Sequence, residues 1–167
     1  MIRAAIVMLV VFVPMLAEAQ RSKRNERKLR ALGAIEPPGD VYRVMQIAYP
    51  ACFVAIAGEA LLRDVPLGLS FTAGSVVFAA AKALKYWAIV TLGDRWTFRV
   101  LVLPGQPLVT AGPYRLMRHP NYLGVAGELA GAALMAHAPL AGVASLVGFG
   151  SLMLARIRVE EHALGGL

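Results

Sequence analysis

Residues 2–30 read IRAAIVMLVVFVPMLAEAQRSKRNERKLR, an apolar block from Ile2 to Ala19 that runs straight into a cationic run from Arg21 to Arg30. A hydrocarbon core of about 30 Å is crossed by roughly 20 helical residues, which is close to the length of the first block. The triplet Ala17-Glu18-Ala19 also resembles a signal-peptidase site after a short apolar core. The dense cationic run argues the other way, because such a run resists translocation and anchors a cytoplasmic loop. We therefore expect a retained first helix, mildly kinked at Pro14.

The rest of the chain repeats this alternation of apolar block and charged connector. Of its 167 residues 58% are hydrophobic, more apolar surface than a soluble domain of this length can hide. A second block runs from about Val44 to Leu62, and a short turn, Arg63 to Pro66, leads to a third from about Leu67 to Leu92. A long polar connector spans Gly93 to Tyr122. Two shorter apolar helices, Leu123 to Ala136 and Leu140 to Ala155, flank the turn residues His137 to Pro139, and their length predicts tilting or partial immersion. The expectation is a single all-α integral membrane domain over residues 1–167, with about five transmembrane helices. No internal repeat or low-complexity segment is evident, and Gly165-Gly166 is expected to end the last helix.

Charge placement orients this arrangement. Of the 17 Lys and Arg, only Arg3 and Arg63 fall on one side, leaving fifteen on or near the other. That asymmetry puts the amino terminus outside and the Arg21 loop, the Gly93 connector and the carboxyl tail in the cytoplasm, as for a bacterial inner-membrane protein. The net charge of +7 is thereby explained by topology, and no nucleic-acid partner is implied. A single cysteine, Cys52, lies in an apolar block, so neither a disulfide framework nor a cysteine-based metal site is available.

The connector carries the unusual chemistry. Its segment RHPNY, residues 118–122, presents a cation, an imidazole, an amide and a phenol at a helix start, where backbone donors are unpaired. Pro120 suits the first helical turn, and such a start favours an anionic group. Arginine snorkelling and interfacial tyrosine account for Arg115, Arg118, Tyr114 and Tyr122, but not for His119 and Asn121. In the tail, Arg156 and Glu160 share one helix face and Arg158 and Glu161 another, as in a solvated ion-pair ladder. Two adjacent carboxylates beside a basic loop also suit an ammonium or sulfonium. Topology brings tail and connector to the same membrane face.

Other ionisable groups have plainer readings. Glu128 lies close enough to the cytoplasmic face to serve that site, whereas Glu59 sits near the outer end of its helix. Lys82 and Lys85 read as snorkelling side chains or as guides for an anionic substrate, and Trp87 and Trp96 as interfacial belt residues. The histidines His119, His137 and His162 show no paired spacing, so no metal is expected.

With its segment GPYRLMRHPNYLG, residues 112–124, followed by RIRVEEHAL, residues 156–164, the chain resembles the isoprenylcysteine carboxyl methyltransferase family and its phospholipid methyltransferase relatives. The resemblance covers roughly Gly93 to Leu164, and the first three helices carry little of it. It is nearest to small bacterial members, some of which sit beside type III polyketide synthases and methylate long-chain polyketides. The resemblance implies an all-helical membrane enzyme that holds S-adenosylmethionine in a cytoplasmic pocket between its last two helices and the connector before them.

Carried over by position, the resemblance implies cofactor contacts from His119, Pro120, Tyr122, Glu160 and Glu161, with Arg118, Asn121 and Tyr114 beside them. Arg156 matches an arginine at the active site, and His119 or Glu161 would accept a proton from a weakly acidic acceptor. Gly112, Pro113 and Tyr114 would shape the connector. Many family members continue past the glutamate pair into a tyrosine-rich tail that covers the cofactor, whereas this sequence stops at Leu167. The basic run from Arg21 to Arg30 lies outside the shared motifs and is expected only to set topology.

The function implied is methyl transfer to a lipophilic acceptor arriving from the bilayer, at a carboxylate or hydroxyl of a prenylated, fatty or alkyl-polyketide molecule. A steroid reductase-like NADPH enzyme has a similar RHPNY segment, but there a Glu directly follows the motif glycine, and here Val125 follows Gly124. A non-catalytic adaptor or transporter would distribute ionisable groups through the bundle. Here they gather at one face, with Glu59 the main exception.

Overall fold

The computed structural model describes residues 1–63 and 65–165. Among the described residues five α-helices make up the fold: α1 (Ile2–Ala31), α2 (Tyr42–Arg63), α3 (Leu69–Leu92), α4 (Pro120–Ala136) and α5 (Pro139–Gly165). Short 3-10 turns at Gly93–Arg95 and Gly112–Arg115 punctuate the connector between α3 and α4. Among the described residues there is no strand, only one isolated antiparallel bridge between Ile35 and Val102. The expected turn Arg63 to Pro66 includes Asp64, and the expected helix end includes Gly166; both residues lie outside the described set.

Among the described residues four helices are long and apolar enough to cross a membrane: α1, α2, α3 with the turn that follows it, and α5. At 17 residues α4 is shorter. The outer surfaces are studded with exposed Leu and Val, among them Leu9, Val76, Leu140 and Val147, as lipid-facing positions require. The core beneath them contains Val7, Phe53, Ile56, Leu129 and Ala132.

Two helices depart from the expected lengths. α5 runs for 27 residues, far past Ala155, and carries the Arg-Glu tail as its own last turns. α1 runs for 30 residues and includes the whole basic run. At 1.5 Å per residue that is about 45 Å, longer than the hydrocarbon is thick. Its buried stripe continues at spacings of three and four, from Ala4, Val7 and Val11 to Ser22, Asn25 and Leu29. The apolar stripe becomes polar where the helix leaves the apolar zone.

The tightest seam joins α3 to α4 through small residues. A Cβ on Gly131 would meet Phe78 N at 2.6 Å, and one on Gly74 would meet Met135 N at 2.3 Å. Gly127 and Gly131, four apart on one face, let the two backbones approach as in close membrane helix pairs.

Across this seam lies a buried ionic cluster. Lys85 Nζ is 2.7 Å from Glu18 Oε2 and 3.3 Å from Glu128 Oε2, and Lys82 Nζ is 2.7 Å from Glu18 Oε1. The Tyr49 hydroxyl donates to Glu128 Oε2. Lys82 also lies 3.1 Å from Glu128 Oε1, an attraction of charges without an aligned hydrogen bond. The five side chains come from α1, α2, α3 and α4 and carry no net charge when all four charged groups are ionised. Lys82 and Lys85 are therefore internal partners of carboxylates rather than snorkelling groups or substrate guides. Glu128 belongs to this joint, its carboxylate held by Tyr49, Lys82 and Lys85.

The far end of the bundle is tied by polar contacts of its own. Buried Arg3 donates to Ser70 Oγ and the Met135 carbonyl, each at 3.2 Å, and to the Pro66 carbonyl. His137 closes α4 in the left-handed conformation at φ 54°. Glu59 accepts hydrogen bonds from the Ala141 and Leu140 amides at the start of α5, at 2.6 and 3.4 Å, and pairs with Arg63. Its carboxylate thus satisfies first-turn donors of a neighbouring helix.

Candidate active site

The connector is held from two sides before it reaches α4. From α1, Asn25 Nδ2 donates to the carbonyls of Gly93 and Trp96 at 3.1 and 2.8 Å, and Ser22 Oγ accepts from the Phe98 amide at 2.7 Å. From the α1–α2 loop, Ile35 and Val102 exchange backbone hydrogen bonds of 2.8 and 2.9 Å. Arg99 bridges Glu36 at 2.6 Å and Glu26 at 3.1 Å, while Arg30 meets the same two carboxylates at 2.5 and 3.0 Å. Burial pushes the Glu36 carboxyl up, but hydrogen bonds from Arg30 and Arg99 outweigh it and hold the group below its ordinary range. The basic run thus grips the connector, beyond any part in topology.

Trp96 is buried, which corrects the belt reading, and its indole N–H donates to Asn121 Oδ1 at 3.3 Å. Asn121 therefore turns toward the connector. Further along, Gly112 adopts φ 56° beside Trp87 and Thr91, where a Cβ would come within 2.5 Å of Thr91 Oγ1. Only glycine fits both the dihedral and the space. Pro113 and Pro120 are buried, and Pro120 takes the first position of α4.

His119 is the residue before α4, and no side-chain hydrogen bond caps the helix there, so its first-turn donors have no capping partner. The two sequence motifs meet at this point. His119 Nε2 lies 3.1 Å from Glu161 Oε1, and the imidazole is 5.7 Å from the Tyr122 ring, centre to centre. Arg118, largely exposed, approaches the same Glu161 oxygen at 3.7 Å. The Tyr122 hydroxyl donates to Glu160 Oε2 at 2.9 Å and accepts from Arg156 Nε at 3.0 Å. Tyr114 is half-buried, and burial, with the Glu160 charge adding to it, pushes its phenol up.

Arg156 does not form the expected ladder with Glu160. Each of its guanidinium nitrogens has a different partner: Nε the Tyr122 hydroxyl, Nη2 the Phe98 carbonyl, and Nη1 the carboxylate of Asp40 at 3.5 Å. Glu161 likewise pairs with His119 and Arg118 rather than with Arg158, which lines a mainly apolar hollow of about 380 Å³ with Pro37, Pro38 and His162. Asp40, Phe98, Ser22 and Asn25 were not visible as site residues in the sequence. In the fold, Ser22 and Asn25 continue the buried stripe of α1, a spacing of three and four residues that could have marked them.

Helices fit to cross a membrane, with a His-Glu-Tyr-Arg cluster gathered at one end from two distant motifs, define an integral membrane protein with a polar site at the edge of its bundle. The chain belongs to the isoprenylcysteine carboxyl methyltransferase family, whose model matches residues 73–165. That match begins within α3, further upstream than the motifs alone indicated, and takes in most of the helix that forms the glycine seam with α4.

A Bacillus subtilis relative, the uncharacterized protein YpbQ, is 30% identical over 93% of this chain and 92% of its own length. An uncharacterized Haemophilus influenzae protein is 28% identical over 87% of this chain and 86% of its own. Protein-S-isoprenylcysteine O-methyltransferase B of Arabidopsis thaliana is 31% identical over 54% of this chain and 47% of its own. No solved structure matches the chain.

Proposed function

We propose that this protein is a membrane methyltransferase that uses S-adenosylmethionine and acts on a lipophilic acceptor entering from the bilayer. The observation that carries the reading is the convergence of His119 and Tyr122 with Glu160 and Glu161, two segments that the sequence separates by some forty residues. The donor set fits the cofactor's methionine end. An uncapped helix start flanked by Arg118 and His119 complements a carboxylate, and the Glu160–Glu161 pair complements an ammonium.

In this reading His119, Tyr122, Glu160 and Glu161 hold the cofactor's polar end, with Arg118 at its rim and Tyr114 and Pro120 shaping the wall. Asn121 supports the site through Trp96. When bound, S-adenosylmethionine supplies a methyl group on a sulfonium. The protein's share of the chemistry is alignment and exclusion of water, for which a rigidly held connector is suited. A carboxylate acceptor needs no base, whereas a phenol would hand its proton to His119 or Glu161.

The Arabidopsis relative is named for methylating isoprenylcysteine, and the acceptor proposed here is of that general kind: a carboxylate or hydroxyl on a long apolar tail. We place the site on the cytoplasmic face, with the amino terminus outside and α4 as a short fifth span, on the strength of the lysine and arginine asymmetry. Saturable binding of S-adenosylmethionine to the purified protein, weakened by roughly tenfold or more in Glu161→Ala and His119→Ala, is the expected result. Absence of binding to the intact protein overturns the proposal.

A further inference from the structure

We infer that Asp40, in the α1–α2 loop, is a positioning residue that keeps Arg156 away from Glu160 and so leaves Glu160 available for a cationic ligand; this rests on the methyltransferase reading above. Arg156 and Glu160 lie four apart on α5, the spacing at which an arginine and a glutamate ordinarily pair. In the fold they do not pair directly, because the Tyr122 hydroxyl stands between them, accepting from Arg156 Nε at 3.0 Å and donating to Glu160 Oε2 at 2.9 Å.

The direction of this chain of contacts follows from what each group can do. A guanidinium only donates, so the Tyr122 oxygen accepts from it and the phenolic proton is directed to Glu160. Glu160 thereby receives one neutral donor and retains its negative charge and its second oxygen. The arrangement holds only while Arg156 is drawn the other way. Asp40 supplies that pull: its side chain is almost fully buried, and among the described residues it pairs with Arg156, Oδ1 lying 3.5 Å from Nη1. The Phe98 carbonyl adds a neutral contact on Nη2.

Asp40 is itself rigidly placed. Oδ1 accepts from the Tyr42 amide at 3.1 Å, which caps α2, and Oδ2 accepts from the Val100 amide at 3.0 Å, which ties the loop to the connector. With the charge of Asp40 removed, a buried guanidinium would seek the nearest remaining carboxylate, and Glu160 is one turn away. Direct pairing would neutralise the carboxylate that a cationic ligand needs.

The test is S-adenosylmethionine and S-adenosylhomocysteine binding by calorimetry on the full-length detergent-solubilised protein, with melting temperature read in parallel. Asparagine keeps one acceptor for the Tyr42 amide, so Asp40→Asn retains that contact at the start of α2 while removing the charge and giving up the hydrogen bond from the Val100 amide. Asp40→Asn is expected to weaken both ligands roughly tenfold, with a modest fall in melting temperature from the lost Val100 contact that is the same with and without Arg156. Asp40→Glu is expected to recover most of the affinity. In an Arg156→Gln background, where no cation is left to swing, Asp40→Asn should add less than about twofold. Unchanged affinity in Asp40→Asn, or an equal loss with and without Arg156, overturns the inference and leaves the function standing. A wild-type protein that binds neither ligand overturns both.

Discussion

His119 Nε2 and Glu161 Oε1 lie 3.1 Å apart although 42 residues separate them in sequence. The contact joins the residue that precedes α4 to the last turns of α5, and it depends on both helices: the hairpin at His137 must turn tightly, and α5 must continue well beyond the apolar zone. Replacing Glu161 with Ala removes a carboxylate from the proposed ligand site but no core packing. We expect affinity for S-adenosylmethionine to fall by roughly tenfold or more, with melting unchanged. Calorimetry beside a thermal melt checks this, and a parallel fall in melting temperature would assign Glu161 a structural role instead.

Glu128 should matter to stability rather than to ligand binding. Glu128→Ala would leave the Lys82 and Lys85 ammonium groups with Glu18 alone, inside a seam of four helices. Removing one partner of a buried ion pair costs about 3–5 kcal/mol. Replacing Glu128 and Lys85 together with leucine and methionine should cost less than the sum of the single changes. Unfolding in mixed micelles measures both. Equal stability of Glu128→Ala and wild type would refute the joint.

The glycine seam makes a contrasting pair of predictions. In Gly131→Ala the new methyl meets the Phe78 backbone, which cannot move without parting α3 from α4, and we expect about 1–3 kcal/mol of destabilisation. Gly148→Ala and Gly58→Ala place their methyls in open space within helices and should be neutral or slightly stabilising. The same unfolding assay separates them.

The grip of the α1–α2 loop on the connector should loosen in acid. The Glu36 carboxyl titrates lower in the folded protein than its ordinary value of 4.5, so the folded state favours the ionised form. Its contribution is present above that value and is lost as pH falls below it through the folded value. Hydrogen-exchange protection of the amides in residues 32–41, measured against the intrinsic exchange rate at each pH, is therefore expected to fall below about pH 4.5, and Glu36→Gln should show the lower protection already at neutral pH. Protection in residues 32–41 that does not change with pH in the wild type would count against this account.

Much of the protein was legible in its sequence because hydrophobic length and charge bias are local signals. The blocks around α2 and α3 were placed to within about two residues of their observed ends. The motif residues were legible too, since His119, Tyr122, Glu160 and Glu161 stand in unusual contexts for a membrane chain. The ends of α1 and α5 were not, because polar residues replace apolar ones along a helix face without ending the helix. Nor was the glycine seam singled out, since Gly74, Gly124, Gly127 and Gly131 read as ordinary small residues until α3 and α4 are set side by side.

The amino-acid sequence by itself determined a helical membrane chain and the two motifs at its carboxyl end, since apolar length, charge bias and residue type are properties of short segments. Only the tertiary structure decided who pairs with whom. Lys85 found Glu18 and Glu128, Glu59 found the start of α5, and Arg156 took Asp40 and Tyr122 instead of its near neighbour Glu160. Those choices rest on burial: out of water, each charge is held by whichever partner the packed helices bring within reach, and distance along the chain has no part in it.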